Sequence, residues 1–70
     1  MPEVSAHITG TVAKIEKRLG ETVSPGDVLV VLESMKMEMP VEAEAGGTVR
    51  AVLCREGQSV SEGDVLLVIG

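Results

Sequence analysis

Displaced by 37 positions, this chain lies onto itself. Gly10-Thr11-Val12 falls on Gly47-Thr48-Val49, Arg18 on Arg55 and Gly20 on Gly57. Val23-Ser24 falls on Val60-Ser61, and Gly26-Asp27-Val28-Leu29 on Gly63-Asp64-Val65-Leu66. From 10 to 33 there are 12 identities in 24 aligned positions, and Ile15/Val52, Val30/Leu67 and Leu32/Ile69 keep apolar character. Two copies of one unit imply the same local fold twice, with the halves related by an approximate two-fold. The shift also carries Val4 onto Val41 and Ala6 onto Ala43. The N-terminal strand is thereby matched to the strand that follows residue 36.

One segment has no second copy. Glu33-Ser34-Met35-Lys36-Met37-Glu38-Met39 joins the apolar run Val28 to Leu32 to the stretch Pro40-Val41-Glu42-Ala43. Two strand-like runs meeting over so few residues read as a β-hairpin with Met35-Lys36 at its turn. No Gly, Asn or Asp occupies that turn, so the hairpin implies strain accepted to place these side chains at a rigid tip. Equivalents of Met35 and Lys36 would be numbered beyond Gly70, and that of Met37 before Met1. The second tip is therefore the gap between the chain ends, which should lie together at the pole opposite Lys36. The plain alternative is a solvated lysine on an ordinary turn with methionine as filler. A feature present once in a doubled scaffold is hard to explain as folding apparatus.

The remaining punctuation is regular. Strands are expected over Glu3 to Ile8, Gly10 to Ile15, Val28 to Ser34, Met37 to Ala43, Gly47 to Leu53, Ser59-Val60 and Val65 to Ile69, with Leu19 to Thr22 a connection into Val23. Ser24-Pro25-Gly26-Asp27 reads as a type II turn, with Pro presetting φ and Gly supplying the positive φ that follows. Its counterpart Ser61-Glu62-Gly63-Asp64 keeps only the glycine. Asp27 and Asp64 recur beside these glycines and are expected to cap the turns through the backbone. Val28-Leu32 and Val65-Ile69 are expected at the centres of two sheets. The fold class is all-β, a small sandwich or flattened barrel with an internal pseudo-two-fold.

Seventy residues without Phe, Tyr or Trp must build a core from Val, Leu, Ile, Ala and some Met, and valine fits a pleated surface best. A cleft deep enough to enclose a substrate asks for a larger protein, which weighs against a free-standing enzyme. A net charge of −5, from 11 acidic against 6 basic residues, and no aromatic stacking platform argue against a nucleic-acid partner. No apolar stretch is long enough to span a bilayer, so no membrane partner is expected. One cysteine excludes an intrachain disulfide and fits a reducing compartment, so the expected location is the cytoplasm. No metal-ligand spacing and no Ser/His/Asp set stand out. His7 aligns with Glu44 and Cys54 with Lys17, and these charged partners predict solvent-facing, inert positions for both. Glu33 and Glu38 flank the tip and are either read by a partner protein or keep the hairpin soluble.

A lysine amine does covalent work when its pKa is lowered by burial or a neighbouring cation, or when another enzyme acylates it. A hairpin tip in an acidic chain offers no burial and no second cation, but displays an amine well. Acylation would remove the charge and hang a long arm on a compact body, which reaches successive active sites at high effective concentration.

Glu33-Ser34-Met35-Lys36-Met37-Glu38, with Pro25-Gly26-Asp27-Val28-Leu29 before it and Pro40-Val41 after, resembles the biotin-attachment domain of the biotin carboxyl carrier proteins. The resemblance covers residues 3 to 70. It implies a flattened barrel of two four-stranded antiparallel sheets, a non-catalytic carrier with Lys36 at a hairpin tip, and covalent biotin on the Lys36 amine. The implied partners are a biotin protein ligase, a biotin carboxylase that uses ATP and bicarbonate, and a carboxyltransferase. Met35 and Met37 match the flanking methionines of the attachment motif, and Glu33 and Glu38 are the candidates for ligase recognition. Gly26, Gly47 and Gly63 match turn or close-approach positions. Residues 16 to 22 form only a short link, so the protruding thumb of some carriers is not expected. No Pro/Ala-rich linker precedes the domain, which reads as a free-standing carrier or an excised domain. The nearest rival is a lipoyl domain, which usually has Asp before and Ala after its lysine; Met35 and Met37 disfavour it, and acceptance of both groups is a further alternative.

Overall fold

Val28 to Leu32 and Val65 to Ile69 are apolar at every position, so strict alternation would expose half of each run. The computed structural model, which describes residues 2–70, shows how this is avoided. Its strands are β1 (Glu3–Ser5), β2 (Gly10–Ile15), β3 (Thr22–Val23), β4 (Val28–Ser34), β5 (Met37–Glu42), β6 (Gly47–Val52), β7 (Ser59–Val60) and β8 (Val65–Ile69). In β4 the pairing with β5 skips from Val28↔Glu42 to Val30↔Val41, leaving Leu29 as an extra residue. In β8 the pairing with β1 skips Leu66 in the same way. An extra residue resets the alternation, and Leu29 with Val30, like Leu66 with Leu67, are consecutive and fully buried. Each central run thus buries three of its five side chains and leaves the other two half-buried, with none exposed.

The strands form two antiparallel four-stranded sheets, ordered β1-β8-β6-β3 and β5-β4-β2-β7. The sheets do not correspond to the sequence repeats. Each takes two strands from each half, so the halves interlock and the pseudo-two-fold exchanges one sheet for the other. β4 and β8 are interior strands, as expected, and so are β2 and β6. Val12, Leu29, Val30, Leu32, Val49, Leu66 and Leu67 are the most deeply buried side chains, and no polar or charged residue is buried among those described.

Three strands stop earlier than the sequence suggests. β1 ends at Ser5 rather than Ile8, β5 at Glu42 rather than Ala43, and β6 at Val52 rather than Leu53. For β1 and β5 the cause is the turns. Ala43 N donates to Asp27 O and Ala43 O accepts from Gly26 N, both at 2.8 Å, and Ala6 makes the same pair with Asp64 O and Gly63 N. The last residue of each run spends its backbone on a turn instead of a strand. Asp27 and Asp64 cap those turns, each accepting at 2.8 Å from the amide of Ser24 or Ser61.

Cys54 is a correction: it is buried, 7% exposed, not solvent-facing. Its repeat partner Lys17 shows why the inference fails. Lys17 tucks its stem against the body, its side chain only 23% exposed, and sends its ammonium to Asp27 at 3.6 Å. A charged residue reports the exposure of its head and leaves its stem free to be covered. Burial pushes the Cys54 thiol up from its ordinary pKa of 9.0. His7 is exposed, as expected.

Candidate functional site

The β4–β5 hairpin closes at Ser34↔Met37, so its turn has two residues, Met35 and Lys36. Both lie in the left-handed region, with φ of 52° and 67°. Positive φ at both central positions is the mark of the type I′ turn, whose twist matches that of the strands it joins. Asn-Gly would adopt it cheaply, whereas Met and Lys each carry a penalty of about 1–2 kcal/mol. These are the only described non-glycine residues with positive φ. The strain is confined to the segment that the sequence repeat leaves unduplicated.

The strained turn holds its side chains outward. Met35 is 92% exposed and Met37 61%, and Lys36 is exposed between them. The chain has three lysines, Lys14, Lys17 and Lys36. Lys14 pairs with Glu16 at 3.8 Å and Lys17 with Asp27 at 3.6 Å, and Lys36 takes part in neither of these ion pairs, the two found among the described residues. Its amine is the one presented without a carboxylate partner. Below it, Glu33 and Glu38 stand directly opposite each other across the hairpin, both exposed. Like charges so placed repel.

Gly10 is absent from the residues that sequence reasoning singles out, yet it is the support of the tip. A Cβ built there would press into the backbone carbonyl of Glu33, with the Ser34 Cβ at 3.4 Å. β2 therefore runs flush beside the end of β4, its neighbour in the sheet, and only glycine permits it. A signal existed in the alignment of Gly10 with Gly47. At Gly47 an added Cβ would meet Ile69 Cγ2 at 2.7 Å and Gly70 O at 3.1 Å, which is the same relationship at the other pole.

Gly26, Gly47 and Gly63 are not at the tip. Gly26 and Gly63 supply φ of +90° and +96° to the two aspartate-capped turns, and Gly47 lies against the last two residues of the chain. The chain ends are adjacent, with Ile69 N donating to Pro2 O at 2.9 Å. Gly70 exchanges hydrogen bonds with Thr48 at 2.8 and 2.9 Å, and Thr48 lies beyond the end of β5 remote from Lys36. At about 3.4 Å per residue the length of β5 separates the two poles by roughly 20 Å.

A groove of about 710 Å³ lies between β1 and β5, starting at Pro40 and reaching Gly46 and Gly70. Its volume is in the range of small-molecule pockets, more than the chain length leads one to expect. It is open to solvent and includes none of residues 33 to 39. Among the described residues no three or more His, Cys, Asp or Glu gather as a metal site. What the tip can do chemically is offer a primary amine, in fixed geometry, to another molecule.

The model of the biotin/lipoyl family, described as biotin-requiring enzyme, matches residues 1–69. The chain belongs to this family. Within it, a biotinylated protein TB7.3 homolog of Mycobacterium leprae is 49% identical over 41 residues, 59% of this chain and 58% of that protein. The crystal structure of the Kluyveromyces lactis urea carboxylase superposes with a TM-score of 0.92 at 33% identity, over 99% of this chain and 6% of that one. The solution structure of the lipoyl domain of the 2-oxoglutarate dehydrogenase complex from Azotobacter vinelandii superposes with a TM-score of 0.74 at 38% identity. That match covers 89% of this chain and 81% of that domain. The chain thus spans less than two thirds of the first two proteins. The two-sheet architecture is that of the biotin/lipoyl attachment fold, and biotinyl and lipoyl proteins both stand among its relatives.

Proposed function

We propose that residues 1–70 form one biotin-attachment domain, that Lys36 bears biotin in amide linkage, and that the domain carries carboxyl groups between the active sites of a biotin-dependent carboxylase. The observation that carries this reading is the strained, unduplicated tip, where Lys36 alone of the three lysines lacks an ion-pair partner. The biotinylated TB7.3 homolog and the urea carboxylase among its relatives support biotin as the group. The residues fit such a group, since the amine is exposed at the end of a rigid hairpin and no neighbouring side chain covers it. When bound, biotin would supply a ureido nitrogen able to take up and release a carboxyl group.

The chain's own work is presentation. The type I′ turn aims the amine away from the body, and Gly10 lets β2 brace the hairpin from the side. Met35 and Met37 give a ligase two apolar, polarizable contacts on either side of the amine. Glu33 and Glu38 offer it a pair of carboxylates at the base of the tip. A biotin protein ligase, a biotin carboxylase and a carboxyltransferase are the partners that this use requires. The domain itself catalyses nothing on this reading. No helix among the described residues is long and apolar enough to cross a membrane, and the single buried thiol is consistent with a reducing cytoplasm.

A second reading, lipoyl attachment at the same lysine, is favoured by the likeness to the Azotobacter vinelandii lipoyl domain. The two are separated by the intact mass of the protein from its native cell, with fragmentation to locate the adduct. A biotinyl increment on Lys36 that is lost in Lys36→Arg is the expected result. A lipoyl increment, or no adduct on Lys36, would sink the proposal.

A further inference from the structure

β1 and β5 each have a neighbour on one side only, and the groove described above lies between them. Its lining includes Glu3, Glu42, Glu44 and His7, and no lysine or arginine; all four of these side chains are exposed. The apolar part of the lining includes Pro2, Val4, Pro40, Val41 and Ile69. The basic residues are elsewhere. Lys14, Lys17, Arg18, Arg50 and Arg55, five of the six, stand on β2, β6 and the connections that lead to the opposite edges, β3 and β7.

An extended chain satisfies a free strand edge with its backbone, and alternate side chains can then reach the walls of the groove. The acidic rim selects what those side chains are. We propose that the groove between β1 and β5 docks an extended, lysine- or arginine-bearing segment of the carboxylase that the carrier serves. This rests on the carrier reading and adds to it a point of attachment remote from the lysine. A partner held there, beside the chain ends, leaves the Met35-Lys36 tip free to reach an active site. A second copy of this chain is a poorer occupant. Its basic edge would have to meet this acidic edge, a head-to-tail contact that does not close on itself.

The test has two arms. In the first, Glu3, Glu42 and Glu44 are changed together to Gln, and the biotinylated carrier is titrated into its carboxylase. The expected result is a rise in KM of roughly five-fold with kcat unchanged, as for loss of a few charge pairs at an interface rim, while the ligase modifies Lys36 at the wild-type rate. In the second, an acetylated decapeptide of alternating Lys and Thr is titrated into the unbiotinylated protein and followed by amide shifts. Shifts should be confined to β1, residues 40 to 46 and the end of β8, and should fade with salt. The inference is overturned by an unchanged KM, by shifts centred on residues 18 to 21 or 55 to 58, or by concentration-dependent self-association through the groove. The peptide arm needs no biotin, so a failure to find biotin on Lys36 would leave its outcome readable.

Discussion

Gly10 lies so close beside the carbonyl of Glu33 that a single methyl group between them has no room. The end of β4, and with it the hairpin tip, is held from the side by the backbone of β2, its partner in the sheet. Gly10→Ala should cost about 1–3 kcal/mol, the range for overpacking a tight site, because the atom it meets is backbone and cannot rotate away. Gly47→Ala should cost less, since its two nearest contacts, the buried Ile69 Cγ2 at 2.7 Å and the Gly70 backbone oxygen at 3.1 Å, are both wider than the one at Gly10. Denaturant unfolding compares the two. Biotinylation assays on folded samples should show that only Gly10→Ala slows modification of Lys36, because only it moves the tip.

Relieving the strain in the turn should separate stability from use. Asn accepts the left-handed region more readily than Met, so Met35→Asn should raise the unfolding free energy by about 1 kcal/mol. It also removes an exposed apolar contact beside the amine, and the ligase rate should fall. A stabilised variant modified at the wild-type rate would mean that Met35 is present for a reason other than presentation.

The facing carboxylates of Glu33 and Glu38 are expected to cost stability on their own. Glu38→Gln should stabilise the fold by about 0.2–1 kcal/mol, the scale of cross-strand pairs. The gain should shrink as salt screens the repulsion. Thermal melts at two ionic strengths measure both effects. If the same variant is a poorer ligase substrate, the repulsion is retained for recognition.

Cys54 gives the protein a pH dependence of known sign. Burial raises its folded-state pKa above the ordinary 9.0, so near and above that pH the unfolded chain holds fewer protons than the folded one. Stability should therefore be unaffected by this group at neutral pH and decline as pH rises past about 9. Cys54→Ala should flatten the decline. In the folded protein the thiol should react slowly with an alkylating agent at pH 8 and rapidly after denaturation.

The position of the tip, the two repeated turns at residues 24–27 and 61–64 and the pseudo-two-fold are legible in the chain because each is written in neighbouring residues or in a repeat of them. Ser24-Pro25-Gly26-Asp27 specifies its turn by its own φ preferences, and Met35-Lys36 is marked as the tip by lacking a copy. Even the adjacency of the chain ends follows from that missing copy. What the chain does not display is how the halves combine. Each repeat gives two strands to each sheet, a choice made by contacts far apart in sequence. The extra residues at Leu29 and Leu66 belong to that choice, since a bulge exists only relative to a partner strand. The burial of Cys54, the support of Glu33 by Gly10 and the groove between β1 and β5 are of the same kind. Local preferences fix where the chain turns, and only the packed sheets decide which surfaces meet.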